Sequence, residues 1–179
     1  MPGADPRAMS HSWLFTGPPG SGRSLAAIDF AAALMCTDPE EPGCGRCEAC
    51  RAVLDTKQHT DLVLVDPQEV IIPVDTVREV IGRAASLPTV APWRVVIFNN
   101  ADRLNNNGAN ALLKTVEEPP ARTVIIMCAP SDAPEDFSQT LRSRCRHLYI
   151  PSPSVESITA QLVSEGASDH DAHLAALTS

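Results

Sequence analysis

Short apolar runs alternate with longer amphipathic segments along most of this chain. Trp13-Leu14-Phe15-Thr16, Leu62–Val65, Val95–Phe98 and Val124–Cys128 are continuous runs rich in apolar and β-branched residues, the pattern of strands covered on both faces. A fifth strand is expected near His147–Ile150. Between the runs the period lengthens. Gly22–Met35 is rich in Ala and Leu and predicts a helix. Val74–Ala85 puts Val74, Val77, Ile81 and Ala84 on one helical face behind Pro73, and Asn105–Val116 is a helix stopped by Glu118-Pro119-Pro120. Shorter helices are predicted over Cys47–Lys57 and Phe137–Arg142. Strands alternating with helices imply an α/β fold, a parallel sheet with helices on both faces.

The flanks differ. Residues 1–11 lack periodicity and read as a flexible lead-in, leaving 12–150 as the core. Pro151-Ser152-Pro153-Ser154 reads as a linker, after which Val155–Glu165 and Asp169–Leu177 are two Ala-rich helices. They are too small to fold alone, so residues 151–179 are expected to open a second, helical domain that is cut short.

Composition narrows the function classes. The formal charge of −8 argues against a chain that grips nucleic acid by its overall field. No apolar stretch approaches the roughly 20 residues of a membrane helix, and no secretory leader is evident, so a cytoplasmic protein is expected. In that compartment the six cysteines are expected as metal ligands or buried small side chains rather than disulfides.

Gly17-Pro18-Pro19-Gly20-Ser21-Gly22-Arg23-Ser24 follows the first strand and opens the first helix, matching the phosphate-binding pattern G-x-x-x-x-G-K-[ST] at every position but one. Such a loop aims backbone N–H groups and a helix N-terminus at one anion. Arg23 stands where a lysine should reach the β- and γ-phosphates, and a wide planar guanidinium is no equivalent of a compact ammonium. After the third strand, a hydrolysing P-loop protein carries a carboxylate for Mg²⁺ and often a second one beside it. This chain has Asn99-Asn100 there, with Asp102 falling in the following turn in a turn or capping role. Three altered positions together predict little or no ATP turnover, while weak ATP binding at Gly17, Gly20, Gly22, Arg23 and Ser24 stays open.

Cys36, Cys44, Cys47 and Cys50 have the spacing C-x7-C-x2-C-x2-C. Cysteines with two residues between them let both thiolates face one tetrahedral ion, with Gly45 allowing the turn between them. The expectation is a closed structural Zn²⁺ module over residues 36–50, against the alternatives of free thiols or an iron–sulfur cluster. Cys128 and Cys145 read as small buried residues.

The order of Gly-Pro-Pro-Gly-Ser-Gly-Arg-Ser, the four-cysteine module, Asn99-Asn100-Ala101-Asp102-Arg103-Leu104, the run from Asn110 to Pro120 and Leu141-Arg142-Ser143-Arg144-Cys145 resembles bacterial clamp-loader subunits of the AAA+ class. The likeness is closest to the delta-prime family of DNA polymerase III and covers residues 12–150. It implies an AAA+ P-loop core that assembles with gamma/tau ATPase subunits and a delta subunit, and so meets the sliding clamp and primer–template DNA. It also implies that Arg144 projects towards ATP held by a neighbouring subunit, an arginine finger acting in trans; without the resemblance, Arg144 is an exposed arginine like Arg142 and Arg146. Lys114 and Glu117 are expected on solvated helix surface with no catalytic role. The function expected is therefore a non-hydrolysing subunit of the polymerase holoenzyme, with an active gamma/tau-type ATPase as the alternative. A P-loop phosphotransferase such as a nucleoside kinase ranks last, because no acceptor pocket or lid arginine cluster follows the helix.

Overall fold

The computed structural model describes residues 10–164, 166–168, 171 and 175–176. Five strands, β1 (Ser12–Thr16), β2 (Leu62–Val65), β3 (Arg94–Phe98), β4 (Thr123–Ala129) and β5 (Arg146–Tyr149), form one sheet in the order β2-β3-β4-β1-β5. Every pairing is parallel. The helices are α1 (Arg23–Met35), α2 (Glu48–Arg51), α3 (Val74–Ala84), α4 (Asn106–Glu117), α5 (Gln139–Arg142) and α6 (Val155–Ser164).

The continuous apolar runs arise because neighbouring residues of each central strand serve different cores. Val96 and Phe98 of β3, with Ile125 and Met127 of β4, pack on one side against Val77 and Val80 of α3 and Leu112 and Val116 of α4. Val95, Ile97, Val124 and Ile126 pack on the other side against Ala27, Ile28, Ala31 and Met35 of α1, with Cys36, Cys50 and Val53 in the same cluster. The cysteine segment therefore rests on the α1 side of the sheet.

The edge strand β5 departs from the expected pattern. Its residues Arg146, His147, Leu148 and Tyr149 are exposed, and it pairs with β1 alone. An edge strand open to water needs no apolar run. The helix expected over Cys47–Lys57 splits into α2 and a π-helical turn at Ala52–Thr56, which Lys57 ends in a left-handed conformation with φ 56°. Val80, absent from the helical face read in the sequence, is buried in α3, whereas Val74 is only half-buried. Residues 1–9 of the expected lead-in lie outside the described residues, as does all of Asp169–Leu177 except 171 and 175–176.

One buried ion pair ties the β2 edge together. Asp61 accepts from Arg94 Nη2 at 2.9 Å and from the backbone N–H groups of Thr89, Val90 and Ala91 at 2.7–2.9 Å. Burial alone would raise the Asp61 pKa, but the three amides and the guanidinium outweigh it and hold it at about 2. Arg94 also donates to the carbonyls of Arg83 and Ser86 and to the Ser86 hydroxyl. Arg94 Nε finds no partner among the described residues, but the charge itself is paired with Asp61 rather than stranded.

Candidate functional site

Because every strand is parallel, the loops after β1, β3, β4 and β5 leave the same end of the sheet, at the carboxyl ends of the strands, where doubly wound folds bind ligands. The glycine-rich loop leaves β1 between β4 and β5. Gly17 cannot carry a side chain: a Cβ there would meet the Ile150 carbonyl at 2.3 Å and Ser21 Oγ at 2.4 Å. Gly20 and Gly22 sit at φ 82° and 80°, a region that disfavours L side chains. Gly22 is the N-cap of α1 and no side chain caps that end; the first-turn N–H groups of a helix have no intrahelical partners, which is what an anion cradle uses.

Arg23 does not extend from this cradle. Its Nη1 donates back to the Gly17 carbonyl at 2.9 Å and the Pro18 carbonyl at 3.1 Å, and its Nη2 reaches Asn100 Oδ1 at 3.5 Å. The guanidinium thus spans the gap between the loop and the end of β3. Asn100 sits at φ 51° and ψ 52°, and the neighbouring Asn99 is buried with its Oδ1 unpartnered. Asp102 lies exposed in the 3₁₀ turn Ala101–Arg103, as expected from its place after the strand. Ser24 is half-buried at the start of α1.

The four cysteines come together as their spacing predicts. Their Sγ atoms all lie within 4.8 Å of one another, with Cys36 to Cys44 at 3.7 Å and Cys36 to Cys47 at 3.9 Å. Four sulfurs at about 2.3 Å from one ion in a tetrahedron stand about 3.8 Å apart, so the cluster has the size of a metal cage. Gly45 adopts φ 68° between Cys44 and Cys47. Backbone N–H groups of Asp38, Cys47 and Cys50 donate to the sulfurs of Cys36, Cys44 and Cys47, each at 3.4 Å. The amides of Thr37 and Cys50 lower the Cys47 pKa to about 6. For Cys36, burial pushes upward but N–H donation prevails and the pKa falls. Cys50 is raised to about 12, mainly by burial. A donor set of four soft sulfurs, with backbone N–H groups on three of them, suits a structural metal. Cys128 and Cys145 lie elsewhere, their thiols pushed by burial to about 12.

The third group of residues lies around α5. Arg142 is committed to Asp132, through Nε at 2.7 Å and Nη2 at 2.5 Å. Arg146 lies over the Trp13 ring, 5.3 Å from its centroid. Arg144 is exposed and held by its Nε to Glu117 Oε1 at 2.5 Å, and by Nη1 to the Thr140 carbonyl at 2.8 Å and Ser143 Oγ at 3.1 Å. The sequence places Glu117 on plain solvated surface, and no signal in it links this residue to an arginine 27 residues away. Behind this group, Thr16 Oγ1 and His147 Nε2 share a hydrogen bond of 2.6 Å, and the Ile150 N–H donates to the Thr16 carbonyl at 2.7 Å. The segment bearing Arg144 is thereby bonded to the strand that feeds the glycine loop.

Residues 4–154 match the family described as DNA polymerase III, delta subunit. The chain is 35% identical over 165 residues to DNA polymerase III subunit delta' of Pseudomonas aeruginosa, covering 88% of this chain and 49% of that protein. It is 33% identical over 166 residues to subunit gamma/tau of Mycobacterium tuberculosis, covering 90% and 28%. A solved gamma subunit-related protein of Thermotoga maritima superposes with TM-score 0.59 at 20% identity, covering 88% and 49% of the two chains. The chain spans about half the length of the delta' relatives it matches. The fold, a parallel sheet with helices on both faces, is the one expected from the sequence and is shared with the Thermotoga maritima structure. No helix among the described residues is long and apolar enough to cross a membrane.

Proposed function

The chain belongs to the DNA polymerase III delta subunit family, and we propose that within it this protein is a delta-prime-type clamp-loader subunit that does not hydrolyse ATP. It assembles with gamma/tau ATPase subunits and a delta subunit, helps them place the sliding clamp on primed DNA in the bacterial cytoplasm, and gives Arg144 to the nucleotide of a neighbour. Residues 12–150 are the AAA+ core in this reading, and 151–179 open its helical lid.

One observation carries the non-hydrolysing part: the Arg23 guanidinium closed onto Gly17, Pro18 and Asn100. A hydrolysing loop needs its cation free to meet phosphate oxygens and a carboxylate after β3 to offset Mg²⁺. Here the cation is engaged by two carbonyls of its own loop, and the group across from it is a neutral amide. Neither Asn99 nor Asn100 can hold a proton taken from water. The two altered positions also touch, Arg23 Nη2 lying 3.5 Å from Asn100 Oδ1.

Cys36, Cys44, Cys47 and Cys50 hold Zn²⁺ in this proposal, closing a segment too short to build a core. A four-thiolate site offers no open position for substrate, so its role is structural.

The second reading, an active gamma/tau-type subunit, has the 33% identity to the Mycobacterium tuberculosis relative in its favour, along with the preserved glycine frame. Magnesium-ATP titrated into the isolated full-length protein separates the two. The delta-prime reading expects no saturation below about 1 mM, the upper end of the range in which enzymes usually engage substrate. Saturable micromolar binding would favour the ATPase.

A further inference from the structure

We infer that Glu117 is the positioning residue for Arg144, fixing the plane of its guanidinium through Nε and leaving Nη2 outside that bond. The inference rests on the trans-finger reading proposed above and names the residue that makes it work.

An arginine has five N–H donors in a rigid fork, so holding two edges orients the third. In Arg144, Nε is taken by Glu117 Oε1, and Nη1 by the Thr140 carbonyl and Ser143 Oγ. Nη2 has no partner in this set. The two neighbouring arginines are held by other partners: Nε and Nη2 of Arg142 both go to Asp132, and Arg146 lies over Trp13. Of the three, Arg144 is the one tied to α4, through the Nε bond to Glu117.

The anchor is firm because of where it stands. Glu117 is the last residue of α4, whose Leu112 and Val116 are buried in the core. Thr140 and Ser143 belong to α5 and its C-cap, anchored by buried Leu141. Two elements separated in sequence by β4 thus clamp one side chain from two directions. A flexible arginine loses rotamer entropy when it meets a phosphate, and this clamp meets that cost before the neighbour arrives. The contribution should therefore fall on the rate of the chemical step and leave nucleotide affinity alone.

The test uses the full-length protein in the reconstituted clamp loader with ATP, reading kcat and KM at the site facing Arg144. Glu117→Ala is expected to lower kcat about 10-fold with KM changed less than about 2-fold, as a misoriented transition-state contact does. Glu117→Gln keeps an oxygen for Nε and should recover most of the loss. In an Arg144→Ala background, Glu117→Ala should cost nothing further, since the two act as a unit. Glu117 is 46% exposed, so its variants should melt with the parent protein. A large loss in Arg144→Ala with an unchanged or higher kcat in Glu117→Ala overturns the positioning role and spares the finger. No loss in Arg144→Ala overturns both.

Discussion

Arg144→Ala is expected to lower ATP hydrolysis by about 10³-fold at the neighbouring site, the lower end of what a trans arginine contributes to phosphoryl transfer. The effect is so large because the positive charge acts where negative charge gathers in the transition state, in a place shielded from water. In the isolated chain the same substitution should do almost nothing. Arg144 is exposed, and its ion pair with Glu117 is a surface pair worth about 0–1 kcal/mol. The measurement is single-turnover hydrolysis in a reconstituted loader where only the ATP site facing Arg144 keeps its P-loop lysine. Arg142→Ala is the matched control, since Arg142 is bound to Asp132. Equal rates in the Arg144→Ala and parent complexes would remove the finger assignment.

Metal removal should have the second large effect, this time on stability. Structural zinc sites carry about 10–16 kcal/mol of apparent binding free energy, much of it spent on folding the segment. If about 4 kcal/mol of that reaches the whole chain, Tm should fall by about 8–16 °C for a protein of this size. The transmission is direct, because Cys36 and Cys50 sit in the same apolar cluster as α1 and the inner strands. Metal analysis of protein purified without chelator should find about one zinc per chain, and Cys47→Ser should melt as the chelated protein does. Metal-free protein with an unaltered Tm in Cys47→Ser would contradict the zinc role.

The parts of this molecule legible in the sequence are those with one dominant physical cause. β2, β3 and β4 were visible because burial on both faces writes an unbroken apolar run. The loop from Gly17 to Ser24 was visible because few residues other than glycine tolerate its backbone, and the cysteine module because tetrahedral coordination sets its spacing. The edge strand β5 was harder to place, since Arg146-His147-Leu148-Tyr149 answers to water as much as to the sheet. Pairings between distant residues left no trace at all. Asp61 and Arg94, 33 residues apart, form the buried ion pair at the β2 edge, yet each alone reads as surface charge. Arg23 was legible as a departure from the P-loop pattern. That its guanidinium turns back onto Gly17 and Pro18, and that Asn100 completes the contact, follows only from the fold bringing the carboxyl ends of β1 and β3 together on either side of β4.

That closed guanidinium is the centre of the account, and ATP turnover by the purified full-length protein without its partners tests it most directly. The expected result is no phosphate release above the level of a Ser24→Ala preparation made in the same way. Turnover near 1 s⁻¹, at the lower end of ordinary enzyme rates, that disappears in Ser24→Ala would contradict it.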